Sequence, residues 1–514
     1  MTYLPDRKRA PEKLGRVLVL GLGKSGRACV EYLLAQPEGR VSELCVAAGA
    51  GNDDARTWAQ HVQARGARVV FDCEDVSRLG DAFDVCVASP GISQFSDFYQ
   101  SAAHASAEVI SEVEFAWRES AAGARWVAIT GTNGKTTTTA LTAHVLKECG
   151  LRASAVGNIG DTCIEAVAAG ATDVFVAEVS SYQLASTVNF APDVAVVLNI
   201  TPDHLKWHRS HENYAAAKWK VLANLHTVPG AVAVLDATND EVRAKVREIK
   251  ALSREERGFD YVPVGTASGL RGDMRAACGA ENAAFVGDDG CLHVALRGAE
   301  VCTGAVSDLQ IKGAHNQGNA LAAAAAAAAL GVPAAGIARG LASFPPLEHR
   351  IEPCGVVGGV ECYNDSKATN VDAVLAALAA FDPARPIILL GGRDKGTDLE
   401  PLVEACRVHA RAVVCFGESE PRFTPAFKPL EACGIPVERA GGMASALDAA
   451  LALAQAGDVV VLSPACASFD EFSCFEERGD VFKALVRERA ERAAGAATSE
   501  SAAFESAATS AAAE

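Results

Sequence analysis

A doubly wound α/β architecture in three domains is what the sequence predicts, and three observations carry that expectation. Short Val/Ile/Leu runs recur, each ending in Gly, Ser, Thr, Asn or Asp and followed by a longer helix-compatible stretch, which is the rhythm of parallel βαβ units. Two of these strand-to-helix junctions carry glycine-rich loops, at Gly21 to Gly26 and at Gly131 to Thr136. The 514 residues also far exceed what one ordinary core accommodates.

The blocks are read as 1–123, 124–346 and 347–494, the first and third Rossmann-like and the second a P-loop ATPase domain. Residues 495–514 are a low-complexity Ala/Ser/Glu tail, expected to be disordered. A net charge of -17 argues against nucleic acid and anionic membrane as partners and favours small molecules. Sixteen cysteines occur without a CxxC pair and sit singly in apolar runs, as in Val85-Cys86-Val87, which suits a reducing compartment. No apolar signal segment follows the basic stretch Met1–Lys13, and the one long apolar run, Ala320–Leu330, is nearly all alanine. A cytoplasmic, monomeric protein is expected.

Gly21-Leu-Gly-Lys-Ser-Gly26 fits GxGxxG between a strand and a helix, so Gly21, Gly23, Lys24 and Ser25 are candidates to face a phosphate. The acidic residue that would hold a ribose is missing, since Ala47-Ala48 ends the next strand, which favours a ligand other than NAD. Ser89-Pro90-Gly91 either lines the same crevice or is a plain turn. Gly131-Thr132-Asn133-Gly134-Lys135-Thr136 follows the strand WVAIT and precedes a helix-compatible stretch over Thr137–Cys149, so its N–H groups would surround phosphate oxygens. Lys135 would bridge the β- and γ-phosphates of ATP and Thr136 would ligate Mg²⁺. The loop is a shorter variant of the general P-loop, because Ile129 stands where that pattern has its first glycine.

Glu178 and His204 each follow a hydrophobic run, where metal ligands or phosphate-facing residues would sit if their strands neighbour the P-loop strand. Lys218, on a stretch that reads as a helix, reads by composition as a surface lysine. Asn316 and Asn319 open the alanine helix as base-reading amides or as caps. In the third block, Asn364-Asp-Ser-Lys-Ala-Thr-Asn370, His349-Arg350 and Asp394-Lys395 cluster charges that suit a carboxylate substrate and a phosphoryl transfer.

Together these motifs resemble those of the Mur ligase family. The resemblance rests on GTNGKTT at 131–137, Asn158-Ile-Gly160, Glu178–Leu184, Asp203-His204-Leu205, His315–Asn319, Asn364–Asn370 and Ser463–Phe472, and DSKATN with SPACASFDEF marks the D-glutamate-adding branch. It implies an ATP- and Mg²⁺-dependent amide ligase joining D-glutamate to UDP-MurNAc-L-alanine through an acyl phosphate. Gly131 to Thr137, Asn316, Asn319, Arg350 and Asp365 would hold ATP. Thr136, Glu178, His204 and a carbamylated Lys218 would bind metal. Gly21, Gly23, Lys24, Ser25, Ser89, Gly91, Asn158 and Ser180 would hold the UDP substrate, and Thr369, Lys395, Ser468 and Phe475 D-glutamate. Catalysis would fall to Lys135, His204, Lys218, Arg350 and Lys367. Lys206 stands where the family commonly carries an aspartate. A diamino-acid-adding relative is disfavoured by the absence of a DNPR-type motif, and an NAD-dependent oxidoreductase leaves the P-loop unexplained.

Overall fold

The computed structural model describes residues 9–80, 82–265 and 282–511, with side chains as far as 494; part of the basic N-terminal stretch and the last three tail residues lie outside the described residues. Among the described residues the strands form three sheets. The first contains β1 (Gly15–Leu20), β2 (Val41–Ala47), β3 (Arg68–Val70), β4 (Val85–Ala88) and β5 (Val109–Ser111), all parallel, in the order β3-β2-β1-β4-β5. The order reverses at β1, so the Gly21 loop opens at the switch point where such sheets bind ligands.

The second sheet contains β6 (Arg125–Thr130), β7 (Ala153–Gly157), β8 (Val174–Glu178), β9 (Val194–Val197), β10 (Val232–Asp236), β11 (Asp260–Gly265), β12 (Ala283–Val286), β13 (Cys291–Leu296) and β14 (Ala299–Ala305). Its order is β14-β13-β12-β11-β10-β9-β6-β8-β7. β6 is flanked by β8 and β9, so Glu178 and the segment after Val197 emerge beside the phosphate loop. The β12-β13-β14 edge is antiparallel, which the βαβ reading did not anticipate. The third sheet contains β15 (Glu352–Val357), β16 (Val360–Asn364), β17 (Ile387–Gly391), β18 (Ala412–Phe416), β19 (Val437–Ala440) and β20 (Val459–Ala465), in the order β15-β16-β20-β17-β18-β19.

These sheets pack as two compact units. One comprises the described parts of Met1–Leu309 together with Gln317–Phe344, and the other Gln310–Asn316 with the described residues from Pro345 onward. The first two sheets share one unit because the helix Glu112–Glu119 joins their cores. Its Trp117 and the β6 residue Trp126 both pack edge-on against Phe190, and Trp126 stacks on Phe175 at 4.6 Å. The same helix buries two carboxylates against the second sheet's loops. Glu114 accepts from the Asn189 and Val188 backbones, and Glu112 accepts from Ile164 N at 2.7 Å while its Oε2 has no hydrogen-bond partner among the described residues. Burial pushes the Glu112 carboxyl up to about 7.

The last helix, Phe475–Ala511, carries helical backbone through most of the Ala/Ser/Glu tail, where low complexity had implied disorder. Alanine, the strongest helix former, accounts for the difference. No helix among the described residues is long and apolar enough to cross a membrane.

Candidate active site

The phosphate loop is held shut by its neighbours. Gly134 has φ +83°, a left-handed conformation that favours glycine, and caps the helix Lys135–Glu148. That helix begins two residues before the expected start. A Cβ on Gly134 would stand 2.6 Å from Asn319 Oδ1, which accepts from Thr138 Oγ1 at 3.1 Å, so Asn319 abuts the loop's turn. Asn199, just past β9, clasps the loop from the other side: its Oδ1 accepts from Asn133 N at 2.7 Å and its Nδ2 donates to Asn133 O at 3.1 Å. Thr132 Oγ1 lies 2.9 Å from the Tyr214 hydroxyl.

Two lysines converge on one carbonyl. Lys135 Nζ donates to Gly131 O at 2.9 Å and to Thr132 O at 2.8 Å, and Lys218 Nζ donates to Gly131 O at 2.7 Å. Lys218 is 2% exposed and lies over the Tyr214 ring. Burial, reinforced by the charge of Lys135, holds its amine well below the usual lysine range. The composition-based reading of Lys218 as a surface residue is therefore corrected: its helix, His211–Trp219, faces the loop.

Glu178 ends β8 and is 1% exposed. Its Oε1 accepts from Asn158 Nδ2 at 2.8 Å, and its Oε2 is buried without a partner among the described residues. An orphaned buried carboxylate oxygen beside a phosphate loop fits a cation. His204 has φ +54° and sits 3.4 Å from an Asp203 oxygen, its ring 4.8 Å from Tyr182. Among the described residues no three His, Cys, Asp or Glu side chains converge into a metal cluster. Lys206 is exposed. His208, fully buried, reaches Ser181 Oγ at 2.9 Å, and burial pushes its pKa down to about 4.

Within the same unit, Gly21 has φ +92°, and a Cβ on Gly26 would stand 2.1 Å from Gly21 O, so both glycines are needed for the turn. Ser89 Oγ donates to Gly21 O at 3.3 Å, which ties the Ser89-Pro90-Gly91 turn to this loop. Lys24 Nζ donates to Gly160 O at 2.6 Å, bridging to the Asn158 loop. Gly23 N-caps the helix Lys24–Leu34, which includes Ser25. Ser180 forms a capping box with Gln183, a structural role that the sequence motif alone did not disclose.

The second unit gathers the third block's candidates. Arg350 lies between His349 (φ +62°) and Ile351 (φ +45°), an unusual conformation for a β-branched residue. Asp365 supports this turn, Oδ1 accepting from Ile351 N and Oδ2 from Ser463 Oγ at 2.7 Å; burial raises its carboxyl to about 7. Lys367 Nζ lies 3.8 Å from the Phe475 ring centroid, and Ser366 Oγ donates to Phe475 O. Ser468 is 2% exposed, whereas Lys395 is exposed. Thr369 N donates to Lys367 O, and Asn316, on the same unit, donates from Nδ2 to Lys312 O. Sequence reading missed Arg478: fully buried, it donates to Ser366 Oγ, Ser366 O and Cys466 O, joining the DSKATN and SPACAS loops.

Residues 129–327 match the Mur ligase middle domain and residues 349–466 the Mur ligase glutamate ligase domain. Two relatives named UDP-N-acetylmuramoylalanine--D-glutamate ligase are similar along most of their length. That of Myxococcus xanthus is 37% identical, over 92% of this chain and 98% of its own, and that of Salinibacter ruber 40% identical, over 92% and 97%. Among solved structures, MurF from Acinetobacter baumannii has a TM-score of 0.55 at 17% identity, covering 91% of this chain and 93% of its own. UDP-N-acetylmuramate-alanine ligase MurC from Thermotoga maritima has a TM-score of 0.52 at 16% identity, covering 92% and 99%. The fold, the shortened phosphate loop and the extent of these similarities lead to one conclusion: the chain belongs to the Mur ligase family, on the branch formed by these D-glutamate ligase relatives.

Proposed function

We propose that the chain ligates D-glutamate to UDP-N-acetylmuramoyl-L-alanine at the expense of ATP, in peptidoglycan precursor synthesis. The observation that carries this reading is the convergence of Lys135 and Lys218 on the Gly131 carbonyl, in a loop domain that also holds the orphaned Glu178 oxygen. A carboxylate is a poor electrophile, so the L-alanyl carboxylate first takes the γ-phosphoryl group and ADP leaves. The amine of D-glutamate then attacks the acyl phosphate, and phosphate departs from the tetrahedral intermediate. Such chemistry rests on positioning and charge neutralisation.

In this reading the backbone N–H groups of Gly131 to Thr137 and the Lys135 ammonium orient the triphosphate, with Asn316, Asn319, Arg350 and Asp365 completing the ATP set. Thr136, Glu178, His204 and Lys218 would hold Mg²⁺, which supplies neutralisation of phosphate charge when bound. The depressed basicity of Lys218 supports carbamylation, because only a neutral amine adds carbon dioxide. The Gly21 loop, Ser89 and Gly91 of the N-terminal domain (1–123) receive the UDP substrate together with Asn158 and Ser180 of the central domain. The central domain (124–346) carries ATP, and the C-terminal domain (347–494) binds D-glutamate through Thr369, Lys395, Ser468 and Phe475, with Arg350 and Lys367 countering charge on the acyl phosphate. These small, soluble substrates suit a cytoplasmic monomer.

The test is phosphate release from ATP by the purified chain. Release is expected only with UDP-N-acetylmuramoyl-L-alanine and D-glutamate both present, and equal turnover with L-lysine or meso-diaminopimelate in place of D-glutamate would overturn the reading.

A further inference from the structure

The antiparallel β13–β14 hairpin forms the outer edge of the second sheet, on the opposite side of β9 to β10 from the phosphate-loop strand β6. In its register His293 faces Cys302 and Cys291 faces Ala305, with an irregularity between Cys291 and His293. The extra residue on β14 is taken up where Gly304 adopts φ +125°. Cys291 stands two residues from His293, the partner of Cys302, so on the β13 side Cys291 and Cys302 are diagonal neighbours, and residues placed that way in an antiparallel pair share a face. The Cys302 side chain is the largest influence on the ionisation of the Cys291 thiol. Cys291 Sγ also lies 3.9 Å from Asp289 O and Cys302 Sγ 4.0 Å from Gly304 O, so both side chains lie along the hairpin's surface. Cys302 is exposed and Cys291 partly so, whereas most cysteines near strands and helices of the three cores, such as Cys86, Cys163 and Cys415, are buried.

We propose that Cys291 and Cys302 form a reversible dithiol–disulfide site, oxidised by small disulfides of the glutathione class. One thiolate attacks a sulfur of the oxidant, forming a protein–glutathione mixed disulfide and releasing one glutathione thiol. The other cysteine's thiolate then attacks the protein-side sulfur and expels the second glutathione. The two protein thiols lose two electrons and two protons, and the oxidant gains both as two thiols. The neighbouring Cys302 side chain pushes the Cys291 thiol up to about 11, so the reaction quickens as pH rises toward that value. Another close pair, Cys354 and Cys362, is a poorer candidate: Cys354 Sγ donates to the Cys362 carbonyl, and Cys362 is 1% exposed.

The experiment uses the full chain, reduced and freed of reductant, then exposed to oxidised glutathione at pH 8 and quenched by alkylation. Trypsin cleaves after Arg297, between the two cysteines, so the linked site appears as peptide 276–297 joined to peptide 298–312, two hydrogens lighter than the sum of the reduced pair. Dithiothreitol should separate them. The link should be lost in Cys291→Ser and in Cys302→Ser and kept in Cys278→Ser, whose residue lies in the first peptide. A stable glutathione adduct on Cys302 with no link to Cys291, or a link that survives Cys291→Ser, would overturn the proposal; the wild-type peptide map decides it even if a variant folds poorly.

Discussion

Replacing Asn199 with alanine isolates the clasp that shapes the phosphate loop. The substitution removes the 2.7 Å hydrogen bond from Asn133 N and the 3.1 Å hydrogen bond to Asn133 O. Each such bond contributes about 0.5–1.5 kcal/mol net, so the pair is worth about 1–3 kcal/mol. The loop must then be ordered when ATP binds, and at 1.4 kcal/mol per factor of ten the loss corresponds to roughly a 5- to 150-fold fall in kcat/KM for ATP. The assay is initial-rate phosphate release at varied ATP with both other substrates saturating, alongside urea unfolding to confirm that the variant folds. A folded Asn199→Ala enzyme whose kcat/KM for ATP stays within about twofold of wild type would refute the idea that the clasp preorganises the loop.

Three further outcomes follow from the geometry. Lys218→Ala should lose activity on the order of 100-fold, with partial recovery on adding a short carboxylic acid; a folded variant that no acid rescues contradicts carbamylation. Gly26→Ala forces a methyl group to 2.1 Å from Gly21 O, so urea unfolding should show a loss of about 1–3 kcal/mol, and KM for the UDP substrate should rise. Glu112→Gln tests the buried carboxyl: its folded pKa, about 7, lies above the ordinary 4.5, so the folded state holds the proton more tightly and wild-type stability falls as pH climbs through that window. The stability of Glu112→Gln relative to wild type should therefore rise by about 3 kcal/mol between pH 4.5 and pH 8, and a difference that is flat with pH would contradict the burial argument.

Much of the site was legible in the sequence because phosphate chemistry imposes a local pattern. Gly131, Gly134, Lys135 and Thr136 occupy adjacent positions on one strand-to-helix turn, so spacing alone revealed them. Glu178 and His204 were legible more weakly, as polar residues following apolar runs. Asn199 follows the same kind of run, yet nothing in its local pattern shows that it grips Asn133; that contact exists because β9 pairs with β6, Thr130 lying opposite Val197. Tyr214 and Arg478 were missed for the same reason.

The sequence by itself determined the fold class, the phosphate loop and the family's motifs, because each is written in short-range periodicity and spacing. Tertiary structure alone decided that the first two sheets share one core and that Lys218 is a buried amine against Gly131 rather than a surface lysine. It also decided that Glu178 keeps an oxygen without a partner among the described residues. Those properties depend on desolvation and on contacts between distant segments, and neither is encoded in any single stretch of chain.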